Sequence, residues 1–171
     1  MNNEVKARLV ESLTLLTVPG VGRGRFTKLV QKFGSPQAVL GATVSQLESV
    51  PGISKGLAST IRQTQDAETA KKITAQIAKL GWTVLFWDSP DYPKALGNIP
   101  DPPPILYRNG EAVGPDEKMI AIVGTRHATE RGKSFAYSLA TELARRGVVV
   151  VSGMAEGIDS AAHRGALDAG G

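Results

Sequence analysis

Arg126 follows Gly124 and Thr125 directly behind an apolar run, and Ser152 and Gly153 follow a second apolar run. An arginine, a hydroxyl and backbone amides bared by glycine are groups that hold a phosphate: the guanidinium gives a charged fork and the amides give neutral donors. Arg131 and Lys133 stand just beyond, at the start of a helical stretch where acids are the rule, which points to an anionic partner, although as isolated charges they are equally read as solvated. Catalytic chemistry has thinner support. Asp159 and His163 are four apart, the spacing of an acid–base pair or of two metal ligands on one helix face, but no third ligand accompanies them. The simpler reading is that Asp159 accepts free amides at a helix start and His163 hydrogen-bonds within the sheet–helix packing. The chain has no cysteine, and its histidines are His127 and His163, which excludes disulfides, thiolate chemistry and an all-histidine zinc site. No catalytic residue, metal site or cofactor is expected.

Such a site needs elements that bring the two glycine turns together. Met119 to Val123 is apolar without polar alternation, which predicts a strand of a parallel sheet with helices over both faces. A helix follows with Phe135, Leu139 and Leu143 on one face and ends at Arg145-Arg146-Gly147; Val148 to Val151 is the partner strand. Gly157-Ile158-Asp159 then opens a helix through Ala161, Ala162, Ala166 and Leu167. Parallel strands joined by a crossover helix put both turns on the same sheet edge, where such folds bind ligands. The dinucleotide fingerprint is not met, because Gly124-Thr125-Arg126-His127-Ala128-Thr129 lacks its second and third glycines, and a P-loop is absent. A doubly wound domain needs more strands than these, so the core reads as interrupted and the chain as a fragment of a longer protein.

The preceding residues are built differently. Glu4 to Leu16 has helical spacing through Leu9, Leu13 and Leu16 and stops before Thr17-Val18-Pro19-Gly20-Val21-Gly22. Arg25 to Phe33 is helical again, short helices are expected at Pro36 to Leu40 and Val44 to Leu47, and a second Val-Pro-Gly arrives at Val50-Pro51-Gly52-Ile53-Ser54. Gly20 and Gly52 lie 32 residues apart, each followed by an amphipathic helix, which predicts two related helical units. The first copy resembles a helix-hairpin-helix motif, in which a tight glycine hairpin and the next helix start aim amides at a phosphate without reading a base. Gly20, Gly22, Arg23 and Arg25 are the candidate secondary contacts there. The second copy has Ser54 where a second glycine is expected, which favours packing over phosphate contact; such turns also simply join packed helices. One helix is expected from Ser54 to Leu80, with Leu57, Ile61, Ile73, Ile77 and Leu80 on its apolar side. At Gly81 the composition changes to the β-rich run Trp82 to Trp87, followed by a stiff connector with Pro100, Pro102, Pro103 and Pro104 and a strand at Ile105 to Arg108. The boundary is set there, giving a helical domain at 1–80 and the first part of a sheet domain at 81–171. The two tryptophans read as core and interface residues.

Residues 1–80 carry 11 Lys and Arg against 5 Asp and Glu, and residues 81–171 carry 9 against 11, so the net charge of +4 belongs to the first part. A basic small domain suits nucleic acid, as it also suits a solvated face without a partner. No apolar run approaches the roughly 20 residues of a membrane helix, and the N-terminus has no signal-peptide core, which predicts a cytoplasmic protein with no membrane partner.

Ile122-Val123-Gly124-Thr125-Arg126 with Gly132, then Val150-Val151-Ser152-Gly153-Met154-Ala155 running into Gly157-Ile158-Asp159 and Ala161-Ala162-His163-Arg164-Gly165-Ala166-Leu167, form two separated motifs. With Tyr92-Pro93, Pro102-Pro103-Pro104 and Leu106-Tyr107 they resemble the DNA-processing protein family called DprA or Smf. The basic helical region resembles that family's N-terminal domain, so the likeness covers essentially the whole chain. It implies an α/β protein, with an all-α helix-hairpin-helix or SAM-like domain followed by an incomplete Rossmann-like parallel-sheet domain. It also implies a single-stranded-DNA-binding recombination mediator of natural transformation, active in competence, which protects DNA, loads RecA and forms a homodimer through the Rossmann-like domain. Carried onto this sequence, DNA phosphate falls to Gly124, Thr125, Arg126, Ser152 and Gly153; Arg131 and Lys133, from their place against the helix dipole, are candidate secondary contacts. Glu156 stands inside the second motif where relatives often carry other residues, and an acid there weakens DNA binding locally. Two other readings stay open: a Rossmann-like enzyme acting on nucleotides, such as a nucleoside-monophosphate hydrolase, and a first domain that serves only protein interaction.

Overall fold

The structure, a computed structural model, describes residues 1–114 and 116–171. Its chain divides into two compact units, Met1–Glu111 and Ala112–Gly171. The first holds α1 (Asn3–Leu16), α2 (Arg23–Phe33), α3 (Pro36–Gly41), α4 (Val44–Glu48), α5 (Lys55–Gln63), α6 (Ala67–Lys79), β1 (Thr83–Phe86), α7 (Lys94–Gly97) and β2 (Ile105–Arg108). The sequence repeat builds its main core: Leu15, Val18, Val21, Phe26 and Leu29 share one buried cluster with Leu47, Val50, Ile53, Ala58 and Ile61, each 32 residues further on. Gly20 and Gly52 both have φ of +89°, a conformation open to glycine at no steric cost. The same turn bond closes each hairpin, Val21 N donating to Val18 O at 2.9 Å and Ile53 N to Val50 O at 3.0 Å. The copies differ at the next position: Gly22 precedes α2 with no side-chain cap, whereas Ser54 Oγ accepts from Leu57 N at the start of α5.

The single helix expected from Ser54 to Leu80 is two. Arg62-Gln63-Thr64-Gln65-Asp66 offers nothing apolar to bury, and the Asp66 carboxylate accepts from Thr69 N at 3.0 Å to start α6 afresh. Each helix then serves a different core, α5 the repeat through Ala58 and Ile61, and α6 a second cluster of Leu9, Leu13, Ala70, Ile77 and Phe86. Leu80, expected inside, is 59% exposed. Trp82, Val84 and Ile105 pack on that second cluster, and the Arg8 guanidinium lies 4.1 Å from the Phe86 ring centre while pairing with Asp88 at 2.6 Å. The antiparallel pair β1–β2, in register Leu85 with Leu106, thus packs with the helices. That is why the compact unit runs to Glu111, past the change of composition at Gly81. Tyr92 is buried, and its hydroxyl donates to Pro103 O at 2.7 Å, fastening the proline connector.

The second unit holds β3 (Met119–Ala121), α8 (Glu130–Arg145), β4 (Val149–Val151) and α9 (Ile158–Asp168). The strands pair in parallel, Ile120 with Val150, and Ile122 N extends the ladder to Val151 O at 2.9 Å. The helices meet along a seam of small residues: Ala136 and Ala140 of α8 are buried, as are Ala162, Gly165 and Ala166 of α9. At Gly165 a Cβ would stand 2.2 Å from the Tyr137 carbonyl oxygen, so the two backbones approach as closely as glycine permits. This seam corrects the expected apolar face of α8. Phe135 is 70% exposed and Leu139 40%, while Leu143 alone of the three packs on the core; Leu167 of α9 is also exposed. Among the described residues the apolar strand is not covered on both faces either, since Met119 and Ile120 remain exposed.

Candidate functional site

The two glycine turns meet on one carboxylate. Gly124 N donates to Asp159 Oδ1 at 3.2 Å and Gly153 N to Asp159 Oδ2 at 3.0 Å, and Asp159, in the first turn of α9, is 5% exposed. Burial pushes its pKa up, but the amides of Gly124, Gly153 and Ala155 outweigh it and hold the carboxyl below its ordinary value. Ser152 Oγ donates to Ile122 O at 2.6 Å. Of the residues read from the sequence as phosphate-binding, Gly124 and Gly153 through their amides and Ser152 through its hydroxyl thus hydrogen-bond inside the protein, fixing the edge. Glycine is needed there for space as well. A Cβ at Gly124 would lie 2.6 Å from Ile158 Cγ1, and one at Gly157, whose φ is +86°, would lie 2.3 Å from Thr125 O and 2.6 Å from Arg126 O. Thr125 Oγ1 accepts from His127 N at 3.2 Å, which tightens the same turn.

The edge delivers Arg126. It is exposed and reaches an open groove of about 630 Å³ between α8 and α9, whose other cations are Lys133 and Arg164 and whose acid is Glu156. Lys133 pairs with Glu130 at 2.9 Å, so part of the charge read as opposing the helix dipole is answered by its neighbour; the pair is largely in solvent and weak. Tyr137 lines the groove and donates its hydroxyl to Asp168 Oδ2 at 3.0 Å; that hydrogen bond and the carboxylate's charge push the phenol's pKa up. Arg131 is exposed and does not line the groove. Arg164 was missed as a site residue, although Gly157, Ser160, Ala161 and Arg164 follow the i, i+3, i+4, i+7 spacing of a single helix face. His163 does not make the hydrogen bond expected of it: its Nε2 is buried with no partner among the described residues.

In the first unit the structure separates the predicted contacts by role. Arg25 Nη1 donates to Gly20 O at 2.8 Å and Nε to Gly52 O at 3.2 Å, so this guanidinium ties the two hairpins together. Arg23 pairs with Asp101 at 3.1 Å, both side chains about half exposed. Gly20 faces Leu57, whose Cδ1 would lie 3.1 Å from an added Cβ, and Gly22 leaves the start of α2 open.

A profile described as DNA recombination-mediator protein A matches residues 83–171, and one described as a SAM-like helix-hairpin-helix tandem matches residues 12–64. Protein Smf of Synechocystis sp. is 39% identical over 84 residues, which cover 47% of this chain and 21% of that protein. DNA processing protein DprA of Bacillus subtilis is 36% identical over 101 residues, 58% of this chain and 34% of that protein. The X-ray structure of DNA processing protein A from Streptococcus pneumoniae shares the fold over 95% of this chain and 55% of its own, with a TM-score of 0.68 at 23% identity. The chain thus spans between a fifth and about a third of those two curated relatives and about half of the solved chain. The fold is an α/β one, a helix-hairpin-helix region followed by a Rossmann-like parallel sheet. With the recombination-mediator profile spanning more than half of the residues and containing both glycine turns and the groove beside them, the chain belongs to the DNA recombination-mediator protein A family, the DprA or Smf family.

Proposed function

We propose that this protein binds single-stranded DNA as a recombination mediator in natural transformation, shielding the strand and presenting it for RecA loading, without chemistry of its own. The observation that carries the reading is the groove of Arg126, Lys133 and Arg164, set against the single acid Glu156, at the edge where both glycine turns end. Cations on an open surface neutralise backbone phosphates of any sequence, and the resulting affinity falls with salt. Thr125 joins Arg126 as the directly contacting turn, and Gly124, Ser152 and Gly153 contribute by holding that turn in place. The DNA-binding module falls within residues 81–171, in keeping with a family profile that starts at residue 83, with its groove in the unit from Ala112 onward, and residues 1–80 act as a helical module against which β1 and β2 pack. The open start of α2, with Gly20, Gly22, Arg23 and Arg25, supplies a weaker phosphate contact there. A homodimer through the Rossmann-like domain and a cytoplasmic site of action complete the proposal; among the described residues no helix is long and apolar enough to cross a membrane.

Arg126→Ala is expected to weaken binding of a fluorescent single-stranded oligonucleotide about tenfold at moderate salt, the scale of one charged hydrogen-bonded contact. It should also make the slope of log affinity against log salt shallower by about one contact. Arg164→Ala should act in the same direction. Titration by fluorescence anisotropy at four salt concentrations reads both quantities, and unchanged affinity with unchanged slope for Arg126→Ala counts against the site.

A further inference from the structure

Met154 combines two features that packing does not explain. Its φ is +55°, which no other non-glycine residue among those described shares in sign, and its side chain is 82% exposed. The surrounding loop is not slack. Ser152 Oγ donates to Ile122 O at 2.6 Å, Gly153 N donates to Asp159 at 3.0 Å, and Ser160 donates to Ala155 O through both its amide and its hydroxyl. Bonds on either side of Met154 thus hold a left-handed backbone that a side chain rarely adopts, and such strain persists where the surroundings over-determine it. The result is a long apolar side chain presented to solvent at a fixed place. That place is the ligand edge, because the amide of Gly153, next to Met154, and the amide of Gly124, next to Thr125 and Arg126, end on the two oxygens of one carboxylate.

A flexible thioether with a polarizable sulfur suits the flat face of an aromatic ring, adapts to rings of different size and makes no hydrogen bond that would choose between them. We propose that Met154 is the base-contacting residue of this site, its thioether lying against a nucleobase of the strand whose phosphate Arg126 holds. The inference rests on the DNA-binding reading above. It adds a source of selectivity: stacked bases of a duplex do not offer their faces, so phosphate contacts alone accept either form and Met154 favours the single strand.

The test compares an oligothymidylate with an oligonucleotide of equal length built from abasic sites, using the intact chain. The unsubstituted protein is expected to bind the oligothymidylate about three- to tenfold more tightly, the range of a sulfur–aromatic contact. Met154→Gly, which relieves the positive φ, should remove that difference while the melting temperature stays level or rises; Met154→Ala is a second truncation, and Met154→Leu, apolar but without the sulfur, should reduce the preference. Discrimination retained in both truncations, or equal binding of the two oligonucleotides by the unsubstituted protein, overturns the role of Met154 and leaves the phosphate site standing. Failure of the unsubstituted protein to bind either oligonucleotide overturns the DNA-binding reading itself, and this inference with it.

Discussion

Asp159→Ala is expected to lower the melting temperature on the order of 10 °C or more and to abolish oligonucleotide binding, although Asp159 touches no ligand in the proposed site. The substitution removes the shared acceptor of two partly buried hydrogen bonds, from Gly124 N and Gly153 N, which have no other partner of comparable geometry among the described residues. Asparagine should rescue little, since one carboxylate oxygen becomes an amide donor facing an amide donor. The pH dependence follows from the depressed carboxyl pKa. A group whose folded pKa lies below its unfolded value of about 3.9 stabilises the fold above that value and loses the contribution as pH falls through the folded pKa. Thermal melts from pH 7 down to pH 2 should therefore show the unsubstituted protein flat near neutrality and weakening below about pH 4, with the Asp159→Asn profile lacking this component. Hydrogen exchange at Gly124 and Gly153 gives the local readout: both amides should be protected in the parent and fast in the variant.

Gly157→Ala should be about as damaging, by a steric route. The residue has φ of +86° and ψ of −120°, a region essentially reserved for glycine. An added Cβ would also enter the carbonyl oxygens of Thr125 and Arg126 at 2.3 and 2.6 Å. Neither neighbour is the free end of a side chain, so the Gly124-Thr125-Arg126 turn must move. A loss of about 3–5 kcal/mol in denaturant unfolding is expected, the range of a strained backbone site combined with overpacking. Whatever fraction remains folded should bind DNA with Arg126 displaced. Gly22→Ala is the informative contrast, because nothing lies within 4 Å of a Cβ there and the backbone is extended; its unfolding free energy should fall by no more than about 1 kcal/mol, the cost of a poorer N-cap residue.

The parallel strand–helix–strand unit and the doubled hairpin were legible in the sequence because their signals are local: an apolar run, a glycine turn, a helical period and a repeat of three residues at a fixed distance. What stayed hidden depends on separation in the chain. Gly124 and Asp159 are 35 positions apart, and Arg25 and Gly52 are 27 apart, so the sequence shows amides and a guanidinium ready to bind an anion without showing that internal acceptors already occupy them. The α8 face was misread for a related reason. Phe135 and Leu139 carry more apolar area than Ala136 and Ala140, but the seam is decided by how near two backbones come, and Gly165 sets a spacing that only small side chains fit. Arg164 was visible as a helix-face neighbour of Gly157 and Ser160, and became a site residue only once the groove beside Arg126 had a shape.

The doubled hairpin carries a further consequence. Residues 32 apart interleave in one interior, and Arg25 hydrogen-bonds to the carbonyls of both glycine turns, so neither copy owns a core that it could close alone. Volume is also traded between the copies, with Phe26 in one answered by Ala58 in the other. Cut between the two, the pieces would be complementary fragments, each exposing the half-interior that the other fills, and each would act as the ligand that folds its twin.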